Sequence, residues 1–312
     1  MKRGVFDVLR RGADNTIANW PLLLIRLGEM VAFGVLAIVT VIVAFLPILV
    51  SLGIELSKLT TPEELENAGL ALLSKWVLLL WVVVAIFALL LVFLAVHAFV
   101  EAGSARVYVD AERAAGPLVQ GPRSRYRAFS MDRWMSGGRE GWWTVFWIYN
   151  IAWAGACMIL LIPLLPTIVG MLLFHDKPPA AVATGCVGLL VTGMLLMVVG
   201  MGTGMWINRA INEWALRDTS ARQSLSLGWT AVRADLGRHV LVFLAVLVVA
   251  LAGSSFFATF GFFAAFGEAL GRHGVFNVIT FPVRILGSLL NTAFSAAVSA
   301  WYLAAFASLT TE

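Results

Sequence analysis

Charge is what this chain has least of. Only 13% of its 312 residues are charged and 60% are hydrophobic, whereas soluble domains carry roughly 25% charge. A soluble core cannot absorb that much apolar surface and still clothe its outside, so a water-soluble globular domain is excluded. Cysteine is nearly absent: Cys157 and Cys186 are the only two, both inside apolar runs. That excludes a disulfide framework and a thiolate metal site, leaving two small buried hydrophobes. Histidine is as sparse, and His97, His175, His239 and His273 form no cluster along the chain. No nucleophile–base pair and no set of metal ligands stands at helical spacing. The glycines of GMGTGM (200–205) do not make a phosphate loop, since no strand precedes them and no Lys-Ser/Thr follows. The reading is therefore not an enzyme, with no metal and no cofactor. The net charge of +4 is no nucleic-acid signature either, because the basic residues sit in short loops between apolar spans.

What is abundant is apolar sequence in long runs. A spanning helix needs about 20 mostly apolar residues, and six stretches qualify: approximately 21–52, 71–100, 142–173, 180–207, 240–266 and 277–308. The fold class is all-α, a polytopic integral membrane protein in a single membrane domain over 1–312. The run after Lys2, Arg3, Arg10 and Arg11 is too long for a signal-peptide core, so it reads as a retained first span. Of the 22 lysines and arginines, all but Lys58, Lys75, Lys177, Arg272 and Arg284 fall in the N-terminal segment, in 101–141 or in 208–239. That bias places both termini in the cytoplasm. Outside, Thr61-Pro62-Glu63-Glu64 reads as a capping box that starts a short helix. Pro47, Pro163, Pro166 and Pro282 mark expected bends near the outer ends of spans.

The inward segments resemble one another. GVFDVLRRGADNTIANW, YRAFSMDRWMSGGREGWW and QSLSLGWTAVRADLGRHV each precede an odd-numbered span. In the third, Leu225, Trp229, Val232, Leu236 and Val240 share a helical face with Arg222 and Arg233 at its edge. In the first, Val5, Phe6, Val8, Leu9, Ala13 and Ile17 oppose Asp7, Arg11 and Asp14. This is the pattern of helices lying in the headgroup region. It suggests three repeats, 1–110, 111–217 and 218–312, each an interfacial helix plus a helical hairpin. The stretch SLSLGWTAVRADLGRHVLVFLAVLVV (224–249) resembles the repeated element of the membrane domain attached to some bacterial glycerophosphodiester phosphodiesterases. It is similar also to uncharacterised six-span proteins of the YciC type. The catalytic domain of the phosphodiesterases has no counterpart here, so the resemblance implies fold and location alone: a multi-pass protein of the bacterial inner membrane.

Candidate site residues are few. Arg26 and Glu29, three apart, are close enough to pair on a helix, and His97 and Glu101, four apart, form a second such pair. Charge inside a bilayer marks functional candidates, although snorkelling and local pairing suffice to hold these four. Gly200 and Gly204 make a GxxxG pair, and Ser288, Thr292, Ala296, Ala300, Ala304 and Ser308 recur every four residues along the last span. Such rows let helices approach closely in lipid. The functional expectation is a non-catalytic scaffold or accessory subunit that packs with other membrane chains or with itself, among membrane lipids. The alternative is a lipid-handling protein or transporter, for which the mid-span polar residues are sparse.

Overall fold

A computed structural model describes residues 3–52, 76–117, 122–270 and 275–312. Among them are eight α-helices: α1 (Val5–Ala18), α2 (Pro21–Leu52), α3 (Trp76–Ala115), α4 (Met131–Leu173), α5 (Pro178–Arg217), α6 (Ala221–Ala234), α7 (Leu236–Leu270) and α8 (Val275–Thr310), with a 3-10 turn at Arg123–Tyr126. Six of these helices are long and apolar enough to cross a membrane. The Thr61–Glu64 capping box, Lys58, Lys75 and Arg272 lie outside the described residues.

Helix boundaries follow local chemistry. Pro21 and Pro178 stand at helix starts, where a missing N–H is no loss. Ser130 caps α4 by accepting a hydrogen bond from the Arg133 amide, 3.2 Å away, and Ser220 caps α6 in the same way. The α5 helix ends on Asp218, whose left-handed backbone (φ 54°) lets its N–H reach the Trp214 carbonyl at 2.8 Å. Pro163 and Pro166 sit inside α4 without ending it, and the Thr167 hydroxyl donates to the Pro163 carbonyl at 2.7 Å. Hydroxyl donation of this kind is how proline is accommodated in a spanning helix.

The chain divides into two compact units, Met1–Leu24 with Ala98–Glu312, and Ile25–His97. The smaller unit is a pair of helical segments in which Phe33 meets Phe93 edge-on at 4.6 Å and the Trp81 indole donates to the Val43 carbonyl at 3.3 Å. In the larger unit, α4 pairs with α5 and α7 with α8, while α1 lies against α8 and α6 against α5. Burial is concentrated at the end where α1 and α6 dock: 98–115 of α3, 203–215 of α5 and 300–310 of α8. The apolar span windows are otherwise bare, at most 11% buried in five of six and 50% in the last. Apolar surface on that scale, long enough to cross hydrocarbon, is what lipid covers.

Two expected features take a different form. Segment 222–238 is two helices, broken at Asp235, where α6 ends and α7 begins. The segment before the third span is no separate helix, since α4 runs unbroken from Met131.

Candidate functional site

Arg26, Glu29 and His97 form one charged set in the smaller unit. Arg26 and Glu29 are 3% and 6% exposed, and the Arg26 Nη1 donates to Glu29 Oε2 at 2.7 Å. The other carboxylate oxygen, Oε1, lies 2.7 Å from Nδ1 of His97. The i,i+3 spacing on α2 brings Arg26 and Glu29 together, and α3 delivers the imidazole. The sequence paired His97 with Glu101; the structure brings Glu29 to the imidazole as well. Glu101 itself is buried in the larger unit. Both oxygens of Glu29 are thus engaged by a guanidinium and an imidazole, which holds a carboxylate in an apolar setting and offers an acid–base relay through His97. Removing one member of such a buried set leaves an uncompensated charge and costs about 3–5 kcal/mol.

The larger unit holds a second polar system, at the end where α1 docks. The guanidinium of Arg11 donates twice to Glu112 Oε2, from Nε at 3.0 Å and Nη2 at 2.7 Å, and once to the Gly116 carbonyl at 2.8 Å. Both side chains are sealed, 1% and 0% exposed. Arg3 stands 3.6 Å from the same carboxylate and donates to the Ser308 carbonyl at 2.9 Å. Asn15 donates to the Tyr108 carbonyl at 3.0 Å. Asn19 donates to the Tyr126 carbonyl at 2.7 Å, while its Oδ1 accepts from the amides of Ala128 and Phe129. Burial, reinforced by the charge of Glu112, pushes the Tyr126 phenol above its ordinary range; burial and the neighbouring Arg11 lower Arg3. On α5, Glu213 accepts from Arg209 at 2.9 Å and pairs with Arg217 at 3.0 Å. Sequence reasoning placed Arg11 only on the polar face of its helix and passed over Asn15, Asn19, Glu112 and Glu213. The signal was a row of long polar residues at i,i+4 (Arg11, Asn15, Asn19), which reads as a solvent face unless it is tested as a buried one.

Glycine brings the short helices close. A Cβ at Gly12 of α1 would stand 2.8 Å from the backbone of Ala305 in α8. One at Gly228 of α6 would stand 2.9 Å from the Ala210 amide nitrogen of α5. Gly137, at the start of α4, is placed likewise against the Arg106 side chain of α3.

Gly200 and Gly204 do not share that role. Nothing lies within 4 Å of a Cβ placed at Gly200, and at Gly204 the nearest atoms, on Phe243 and Tyr302, are 3.9 Å away. Within this chain, therefore, no described residue makes a close approach at Gly200. Close approach is made instead by single glycines facing alanines. Along α8, Ala296, Ala300, Ala304 and Ser308 are buried, Thr292 is half-buried and Ser288 is exposed. The lower two thirds of that ridge is covered by this chain.

No group of three or more His, Cys, Asp or Glu residues able to hold a metal ion occurs among the described residues. Two grooves border the larger unit's helices. One, of about 290 Å³, runs between α7 and α8 past Ser254, Ser295, Ser299 and Tyr302. The other, of about 350 Å³, lies between α4, α5 and α6.

Six long apolar helices, five of them with span windows at most 11% buried, make this chain a multi-span helical membrane protein. No family model matches it, and no curated protein or solved structure gives a significant match.

Proposed function

We propose that the chain is a non-catalytic scaffold or accessory subunit of the bacterial inner membrane, with both termini in the cytoplasm. The observation that supports this is a pre-formed aromatic face beside the locked end. On α4, Trp142 packs on Trp143 at 5.3 Å, Trp143 stacks on Phe146 at 5.5 Å and meets Trp147 at 5.7 Å. Trp142, Trp143 and Trp147 are 36%, 53% and 42% exposed. Aromatic side chains with little rotamer freedom are strong anchors for a partner. They ride here on a helix whose first turns are fixed by Gly137 and Gly138. The resemblance to the phosphodiesterase membrane domain accords with a membrane role and adds no activity. A photoreactive phenylalanine replacing Trp143 tests the reading. It should give protein adducts of discrete mass in native membranes, whereas the same probe at Leu190, exposed on α5, should give lipid adducts only. Lipid adducts alone at both positions would remove the proposal's support.

The second reading is a lipid-handling protein or transporter, and Arg26, Glu29 and His97 favour it. Ionisable groups buried in spans mark substrate or proton paths. Proton flux into vesicles that Glu29→Gln abolishes would favour this reading; equal flux with and without the protein would dismiss it as a proton path.

A further inference from the structure

The groove between α4, α5 and α6 has the make-up of a lipid site. Its walls are Ile151, Trp206, Leu225, Ser226 and Trp229, with Arg222 at its mouth, and its volume of about 350 Å³ falls within the ~300–1,000 Å³ of ligand sites. It is a built feature. The Trp206 indole donates to the Leu225 carbonyl at 2.7 Å, which ties α5 to α6, and Trp206 meets Trp229 at 5.7 Å. Leu225 is buried, whereas Ile151 and Trp229 are 37% and 47% exposed, so the floor is closed and the rim is open. Tryptophans of this kind sit at headgroup level, where the groove would meet a phosphate above and acyl chains below.

Arg222 points to the sign of the occupant. It is exposed and makes no hydrogen bond or ion pair with any described residue. It also occupies the first turn of α6, in which no acidic residue stands. A cation there opposes the helix dipole, so the position is unfavourable for the protein alone and favourable beside an anion. Arg233 lies over the Trp229 ring at 5.9 Å and adds a second positive charge near the rim. An apolar trough with a cation at its mouth, at headgroup depth, fits an amphiphile with a negative head and a hydrocarbon tail.

We propose that this groove binds one anionic phospholipid, with its phosphate at Arg222 and an acyl chain along Ile151, Leu225 and Trp229. The site goes beyond the scaffold reading and stands whether or not that reading does.

Native mass spectrometry of the full chain in mild detergent tests it, with phosphatidylglycerol and a phosphatidylcholine of identical chains as probes. The wild type should hold one phosphatidylglycerol in preference to phosphatidylcholine. Arg222→Gln should lower that preference about tenfold, the scale of one charge-assisted hydrogen bond. Arg222 is exposed, so the variant should fold. Arg125→Gln, at an exposed arginine of the 3-10 turn, should leave the preference intact, and Trp229→Ala should weaken retention of both lipids. Glycerol 3-phosphate, which has an anionic phosphate and no chain, should not compete. Equal retention of the two lipids by the wild type would overturn the proposal. So would equal losses in Arg222→Gln and Arg125→Gln, which would mean general charge attraction, or competition by glycerol 3-phosphate, which would mean that no chain enters the groove.

Discussion

Replacing Gly12 or Gly228 by alanine should destabilise the chain, although the same change in an open helix does the opposite. Alanine is favoured over glycine inside a helix by about 1 kcal/mol, because glycine gives up more backbone entropy on folding. At Gly12, however, the added Cβ would lie 2.8 Å from Ala305 Cα and N and 3.0 Å from its Cβ. Carbon atoms rest about 3.5–4.0 Å apart, so α1 would have to withdraw from α8 by more than half an ångström. No flexible side chain can absorb this, because the obstructing atoms are backbone. Withdrawal would also pull Arg11, the adjacent residue, from Glu112, to which it donates at 2.7 Å and 3.0 Å. Overpacking costs about 1–3 kcal/mol, so after the propensity gain these two terms leave a net loss of up to about 2 kcal/mol, to which any weakening of the Arg11–Glu112 pair adds. Gly228→Ala meets the Ala210 backbone at 2.9 Å and 3.0 Å and should behave alike. Gly155 and Gly200 have nothing within 4 Å, so alanine there should be neutral or stabilising. Thermal unfolding of the four variants in one detergent reads the sign directly. Gly12→Ala and Gly228→Ala melting at or above the wild type would refute the close-approach argument. An equal loss in Gly200→Ala would point to a close contact at Gly200 that this chain alone does not make.

Glu112→Leu should lower stability by about 3–5 kcal/mol by stranding a sealed guanidinium, and adding Arg11→Met should return much of it; a double-mutant cycle with no coupling would contradict the pairing. Leu at Ala300, 3% exposed, should lower the melting temperature of the isolated chain by overpacking worth about 1–3 kcal/mol, since that part of the ridge is internal; unchanged melting with loss of a bound partner would show that the ridge faces outward. Reporter fusions at Arg123 and Asp176 should report opposite sides of the membrane, as the distribution of basic residues requires; the same side for both would sink that topology.

The spans were legible because length and hydropathy alone define them. Pairing was less legible. Local spacing found Arg26 with Glu29, because i,i+3 neighbours meet on any helix. It offered Glu101 to His97 for the same reason and had no means of finding Glu29, 68 residues away in sequence, beside that imidazole. Glycine spacing likewise proposed Gly200 with Gly204, whereas close approach occurs where a glycine faces a small residue on another helix, as Gly12 faces Ala305. No spacing rule within one segment contains that partner.

The short helix α1 shows why the remaining logic was hidden. Its amphipathic pattern identified a face of Val5, Phe6, Val8, Leu9, Ala13 and Ile17, and the usual inference is that such a face turns toward protein. In the structure Phe6 is 87% exposed, Ile17 50% and Trp20 56%, while Val8, Arg11, Gly12, Asn15 and Thr16 are buried. The apolar face is thus split: Phe6 and Ile17 turn outward, while Val8 joins the core with Val5 and Leu9 packed against it. For a helix at a membrane surface the apolar medium is outside, so an apolar side facing outward loses little. The polar side can then be spent on hydrogen bonds that water would otherwise weaken. Arg11 on Glu112, Asn15 on the Tyr108 carbonyl and Asn19 on Tyr126 are those bonds. A sequence pattern gives the plane that divides such a helix, and the solvent on each side decides which half becomes the core. On α6 the division is mixed, with Leu225 and Val232 turned inward and Trp229 outward. That outward tryptophan, beside an arginine with no partner among the described residues, lines the groove proposed to take a lipid.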